Sequence, residues 1–153
     1  MNSFLTLFDM IGVLAHRRYQ MAERNFASLG LSHSEARLLS ILNQEGGQAT
    51  QDTLSAQMFI DRSNAGRALK RLEAVGYIVR VRGQTDRRSN RVELTDSGRA
   101  ILADVAKLRK KIAQHFFGDV PEADVARIVA LLKPALTEEE FRMRGKAPGT
   151  NRA

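Results

Sequence analysis

Arg62, Ser63, Asn64, Gly66, Arg67, Lys70 and Arg71 fall within ten consecutive residues, and Arg82, Asp86, Arg87, Arg88, Asn90 and Arg91 fall within a second stretch of ten. The chemistry these side chains suit is recognition of nucleic acid. A guanidinium fork matches the O6 and N7 acceptors of guanine, a carboxamide pairs with adenine, and a hydroxyl serves either a base or a phosphate. Lys70 and Arg71 suit phosphate oxygens, which position a protein without reading sequence. Between Ile60 and Arg91 stand nine basic side chains against three acidic ones, so this segment carries six of the chain's seven net positive charges. Charge concentrated in this way attracts a polyanion to one part of the molecule.

Other chemistries find little support. Without cysteine there is no disulfide, no thiolate nucleophile, no thiol switch and no cysteine-based zinc site, and three scattered histidines do not make a metal centre. No nucleophile, base and orienting group occur together, and neither a phosphate-cradling glycine loop nor an H-E-x-x-H element is present, so the expectation is that the chain is not an enzyme and carries no cofactor. The N-terminal run "FLTLFDMIGVLA" contains Asp9 and is too short to span a bilayer, which predicts no signal peptide, no membrane span and a cytoplasmic protein.

The elements that must position the basic residues are mostly helical. Phe4, Phe8, Ile11, Ala15, Ala22 and Phe26 share a broad face between Phe4 and Ala27, while Leu5, Leu7, Met10, Val13 and Leu14 make the first half apolar on other sides too. Such a helix needs cover on several sides, as a buried core helix or against a second subunit. Ser32 and Glu35 have capping-box spacing, with Leu31 as a staple, predicting a helix from about His33 to before Gly46. Thr50 caps a short helix to about Met58, and Asp61 caps another to Val75 with Gly76 at its C-terminal end. On that last helix Ala65, Ala68, Leu69 and Leu72 face inward, opposite Arg62, Ser63, Gly66, Arg67 and Lys70.

Beyond Gly76 the apolar period shortens to two in "YIVRVR" and again in "RVEL", a hairpin with residues 83 to 90 at its tip. Arg87 and Arg88 suit a narrow minor groove, Arg82 and Arg91 the flanking phosphates, and Asp86 can aim an arginine through paired hydrogen bonds. Thr95 caps a long helix from Asp96 to about Phe117. Asp119 and Glu122 suggest a further start, with Pro121 in the first turn, and Pro134 ends or kinks that helix. The fold expected is mainly α with a small β-hairpin wing: a winged helix-turn-helix flanked by N- and C-terminal dimerisation helices. Residues 1–145 form a single domain, with the winged part about 32–95, dimerisation helices about 3–28 and 96–136, and a flexible tail at 146–153.

At these residues the sequence resembles the MarR family of bacterial transcription regulators. "DRRSNRVELT" matches the family's wing pattern at Asp86, Arg88, Leu94 and Thr95, and "ATQDTLSAQMFIDRSNAGRALKRLEAVGYIVR" resembles its helix-turn-helix and first wing strand. The resemblance implies a homodimer, double-stranded DNA as partner, and a pseudopalindromic operator. It also implies a small aromatic or phenolic effector bound between the dimerisation helices and the winged lobe, with His16, Arg17, Tyr19 and Arg37 as candidates by position. His33 reads instead as a first-turn surface residue, and His115 as a neighbour of a helix C-terminus or an interface. Two positions depart from the family: Gly66 where a polar or β-branched contact residue is common, and Phe59 where glycine is common. Alternatives are a winged-helix module that meets an acidic protein and a DNA-coating protein of low specificity.

Overall fold

The computed structural model describes residues 2–58, 62–83 and 90–143, with the backbone alone at Arg62, Arg142 and Met143. In chain order the elements are α1 (Ser3–Phe26), α2 (His33–Gln44), β1 (Gln48–Thr50), α3 (Gln51–Met58), α4 (Arg62–Ala74), β2 (Ile78–Val81), β3 (Arg91–Leu94), α5 (Asp96–Phe117), α6 (Glu122–Leu132) and α7 (Glu138–Met143). Asp61, Phe59 and the tail 146–153 lie outside the described residues, as do Asp86, Arg87 and Arg88.

Local signals start the helices where they matter. The Ser32 hydroxyl accepts from Glu35 N–H at 3.1 Å, and Ser32 N–H donates to the Glu35 carboxylate at 3.0 Å, a complete capping box for α2. Thr50 Oγ1 accepts from Thr53 N–H at 3.1 Å at the start of α3. Gly76, at φ +84°, supplies the left-handed residue that closes α4. At α5, Thr95 Oγ1 accepts from Gly98 N–H at 3.1 Å and donates to Gly76 O at 2.6 Å, so one threonine caps a helix and ties it to the turn after α4. Gly98 has to be glycine, because a Cβ there would overlap the Tyr77 carbonyl oxygen. The wing therefore passes directly into α5 along a close backbone contact.

The core is built from one face of each helix in the winged part. Leu38, Leu39 and Leu42 of α2, Leu54 of α3, Leu69 and Leu72 of α4, Ile78 of β2 and Val105 of α5 are almost wholly buried, with Ala22 and Phe26 of α1 joining them. Several such side chains, each worth about 1.5–3 kcal/mol when fully buried, fix how the helix-turn-helix sits on the terminal helices.

Three points differ from the sequence reading. The wing is not a bare hairpin but a three-stranded antiparallel sheet in the order β1-β3-β2, with Ala49 opposite Val92 and Ile78 opposite Leu94. A three-residue strand is too short to show a period, and β1 exists because β3 offers it a free edge. Pro121 is itself the N-cap of α6, without a side-chain hydrogen bond, and Asp119 has no capping role. Beyond the 3-10 turn containing Pro134, α7 begins at a second capping box in which Thr137 and Glu140 exchange hydrogen bonds of 2.8 and 3.1 Å.

Of α1 only the C-terminal end, from Met21 to Phe26, packs into the core. Phe4 is 88% and Phe8 74% exposed, and Leu5, Met10, Ile11 and Val13 are exposed with them. Ile128, Val129 and Leu131 of α6 and Leu136 after it are exposed as well. Within a single chain, then, α1 is not the buried core helix that its composition would also allow. No helix among the described residues is long and apolar enough to cross a membrane.

Candidate functional site

The outer face of α4 collects the polar residues singled out in the sequence. Ala65, Leu69 and Leu72 are buried, and Ser63, Asn64, Arg67 and Lys70 are exposed on the opposite side. The two side chains suited to base edges are already in contact, for Arg67 Nη2 donates to Asn64 Oδ1 one turn earlier. A residue pair of this kind presents the guanidinium with part of its hydrogen-bonding capacity engaged and its direction set.

Several expected contacts have other duties. Arg71 is not simply a phosphate-facing cation: its Nε lies 2.9 Å from the carboxylate of Glu35 and its Nη2 donates to Gly30 O at 2.9 Å. A carboxylate buried at the start of α2 needs a counter-charge, and Arg71 supplies it. Gly66 is half-buried beside α3, where a Cβ would come within 3.3 Å of the Gln51 amide nitrogen, so its place is in helix packing as much as on the outer face. Asn90 accepts from Gly83 N–H at 3.3 Å across the mouth of the wing and thereby closes the hairpin. Arg82 is exposed just beyond β2, and Arg91 is exposed on β3 with a 3.9 Å ion pair to Glu93 two residues along the same face.

A second site lies between α1, α2 and α5: a cavity of about 350 Å³. Phe26, Ile41, Val105, Ile112 and Phe116 form its apolar walls, and Arg18, Arg37 and Arg109, one from each helix, supply the cations. Burial lowers the pKa of Arg37, and the charges of Arg18 and Arg109 lower it further; Arg109 is lowered by burial and then by Arg18. These arginines repel one another in partly desolvated surroundings.

Of the four residues placed here by resemblance, Arg37 lines the cavity. Arg17 does not line it but stands over the ring of the wall residue Phe116, 5.3 Å from its centroid. Tyr19 meets the His33 ring edge to face at 5.7 Å. His16 is exposed and does not line the cavity. His33 corrects the surface reading: its ring stacks on Phe26 at 6.3 Å, its backbone N–H donates to Glu23 at 2.9 Å, and its Nδ1 is buried without a hydrogen-bond partner among the described residues. Burial first, then Arg18 and Arg37, lower its pKa, with Glu23 opposing and Arg109 adding. Arg18 and Arg109 were not anticipated. The signal was there, since Arg109 interrupts the apolar stripe of Val105, Ile112 and Phe116, and Arg18 lies one turn before Ala22. Among the described residues, no three His, Asp or Glu side chains are grouped as a metal site.

A helix-turn-helix followed by a β-hairpin that runs into a long helix defines a winged-helix protein. The MarR family profile matches residues 29–89, from the turn after α1 to just before β3. Over 85% of this chain and 93% of its own, a MarR transcriptional regulator from Methanosarcina mazei Go1 superposes with a TM-score of 0.74 at 25% identity. Over residues 29–89 the chain is similar to the MarR family. Its sequence is 30% identical over 96 residues to the HTH-type transcriptional regulator SarZ of Staphylococcus aureus, a match covering 63% of this chain and 62% of the length of that relative. Mutant MarR from E. coli in complex with operator DNA shares the fold, with a TM-score of 0.74 at 22% identity over 89% of this chain and 97% of its own. The relatives are named as transcriptional regulators, not enzymes.

Proposed function

We propose that this chain is a cytoplasmic, homodimeric transcription regulator that binds double-stranded DNA in a sequence-specific way and acts as a repressor answering to a small aromatic effector. The observation that carries the reading is the face of α4. Ser63, Asn64, Arg67 and Lys70 are exposed together on the second helix of a helix-turn-helix, opposite the buried Ala65, Leu69 and Leu72. In this architecture the front of that helix enters the major groove. Arg67 reads a base edge, with Asn64 setting its direction, and Lys70 holds phosphate.

The wing residues Arg87 and Arg88, read from sequence, extend contact into the minor groove. Two such units bind half-sites about one helical turn apart. The exposed apolar faces of α1 and α6 support pairing with a second copy, because monomeric proteins seldom leave contiguous patches of that kind in water. The cavity joins the terminal helices to α2, so a ligand there favours one spacing of the two α4 helices over another, and DNA favours one of them.

The test is selection of genomic fragments by the purified protein at near-physiological salt, followed by sequencing. A two-fold symmetric motif is the expected result. Fragments without a shared motif would point to low-specificity coating, and no recovery of DNA to a protein-interaction module.

A further inference from the structure

We infer that the cavity between α1, α2 and α5 takes a small aromatic monoanion together with a proton, the proton passing from solvent to the His33 imidazole. This rests on the effector reading above and names how the same cavity holds its ligand.

His33 and Arg37 both line the cavity and stand four residues apart on α2, so their side chains are neighbours on the face turned toward it. The His33 ring is held by aromatic packing, stacked on Phe26 at 6.3 Å and edge to face with Tyr19 of α1 at 5.7 Å. Its Nδ1 is buried and has no hydrogen-bond partner among the described residues, so no acceptor at that nitrogen favours the cationic form. The charges around the ring are Arg37 on its own helix, Arg18 and Glu23 on α1, and Arg109 on α5. Glu23 opposes the three cations, and its carboxylate accepts the His33 backbone N–H at 2.9 Å. Among the described residues no carboxylate lines the cavity itself. Burial, together with Arg18 and Arg37, therefore favours the neutral ring.

A carboxylate on the ligand reverses that balance. Paired with either Arg37 or Arg18, it cancels a repulsion that acts on His33. A space of about 350 Å³ holds one substituted ring, so the carboxylate stays near the histidine in any pose that fills the cavity. Imidazolium then persists to a higher pH than it does in the free protein. By linkage the converse holds, and protonated His33 binds the anion more tightly than neutral His33 does. Affinity rises as pH falls through the His33 pKa of the ligand-bound protein and levels off below that of the free protein. A neutral ligand of the same shape shows no such rise.

The experiment is titration calorimetry on the full chain without DNA, with benzoate and neutral benzamide as probes. It runs from about pH 8 to about pH 5.5, a range in which a carboxylate stays ionised, in buffers of different ionisation enthalpy. NMR titration of the His33 imidazole, with and without saturating benzoate, accompanies it. Benzoate is expected to bind more tightly toward acid, to take up protons as it binds and to raise the His33 pKa; a rise of one unit makes binding about tenfold tighter at the acid end. Benzamide affinity should be flat with pH, and His33→Gln should bind benzoate with an affinity that no longer follows pH. If that variant does not fold, the NMR comparison in the parent protein decides alone. Benzoate affinity flat with pH, an unchanged His33 pKa, or the same acid dependence with benzamide or in His33→Gln would each overturn the inference. Benzoate that binds without taking up a proton leaves the effector reading standing, whereas no binding at any pH overturns both.

Discussion

Arg71 on α4 and Glu35 on α2 form an ion pair of 2.9 Å in which the carboxylate side chain is 6% exposed and the arginine 58% exposed. Glu35 is also the capping-box residue of α2, with its second oxygen 3.0 Å from Ser32 N–H. The start of α2, a buried charge and α4 thus share one carboxylate. His33, the next residue after the cap, packs at the cavity through its ring. The first turn of α2 consequently touches both candidate sites.

Arg71→Ala should destabilise the fold by about 1–3 kcal/mol in urea unfolding, because the buried Glu35 carboxylate loses its counter-charge. Glu35→Gln retains a group of the same shape at both contacts and should cost less than Glu35→Ala. Operator binding by Arg71→Ala should weaken to a similar degree on every sequence. A change confined to one base position would mean that Arg71 reads DNA and that its pair with Glu35 is incidental.

Arg67→Ala should cost about 1–3 kcal/mol of operator affinity and relax preference at one base position. Since Arg67 bonds to Asn64, the effect of Asn64→Ala should overlap with it. A double-mutant cycle of binding affinities should therefore be non-additive by about 0.5 kcal/mol or more. Strict additivity would show that the two side chains contact DNA independently.

Phe8→Glu combined with Ile11→Glu should convert the protein to monomer at micromolar concentration, measured by sedimentation equilibrium. Both positions are exposed in the single chain, so the substitutions leave the core intact and helical content by circular dichroism should not change. A parent protein that is already monomeric would remove the homodimer from the proposed mechanism.

Folding favours neutral His33, because burial and the charges of Arg18 and Arg37 lower its pKa below the ordinary 6.5. The stability this contributes is complete above that ordinary value and is lost as pH falls through the lowered value of the folded protein. His33→Gln should therefore show a shallower loss of unfolding free energy than the parent between about pH 7 and pH 5. Parallel curves would mean that His33 titrates alike folded and unfolded.

Local chemistry determined much of this molecule from sequence alone. Ser32 with Glu35, Thr50, Gly76 and Thr95 mark ends whose hydrogen bonds close within a few residues, and the positions of Ala65, Leu69 and Leu72 fix which side of α4 turns outward. The two-residue period on either side of the polar tip exposed the wing, and the basic residues clustered there set the expectation of a polyanionic partner. Tertiary structure alone decided what depends on contacts between distant segments. β1 is a strand only because β3 accepts it, Arg71 is drawn inward by a carboxylate on another helix, and His33 is taken from the surface by Tyr19 and Phe26. The cavity is the clearest case, because Arg18, Arg37 and Arg109 lie far apart along the chain and meet only when α1, α2 and α5 pack. Spacing in a sequence reports neighbours along one helix, whereas a site shared by three helices is made by their packing.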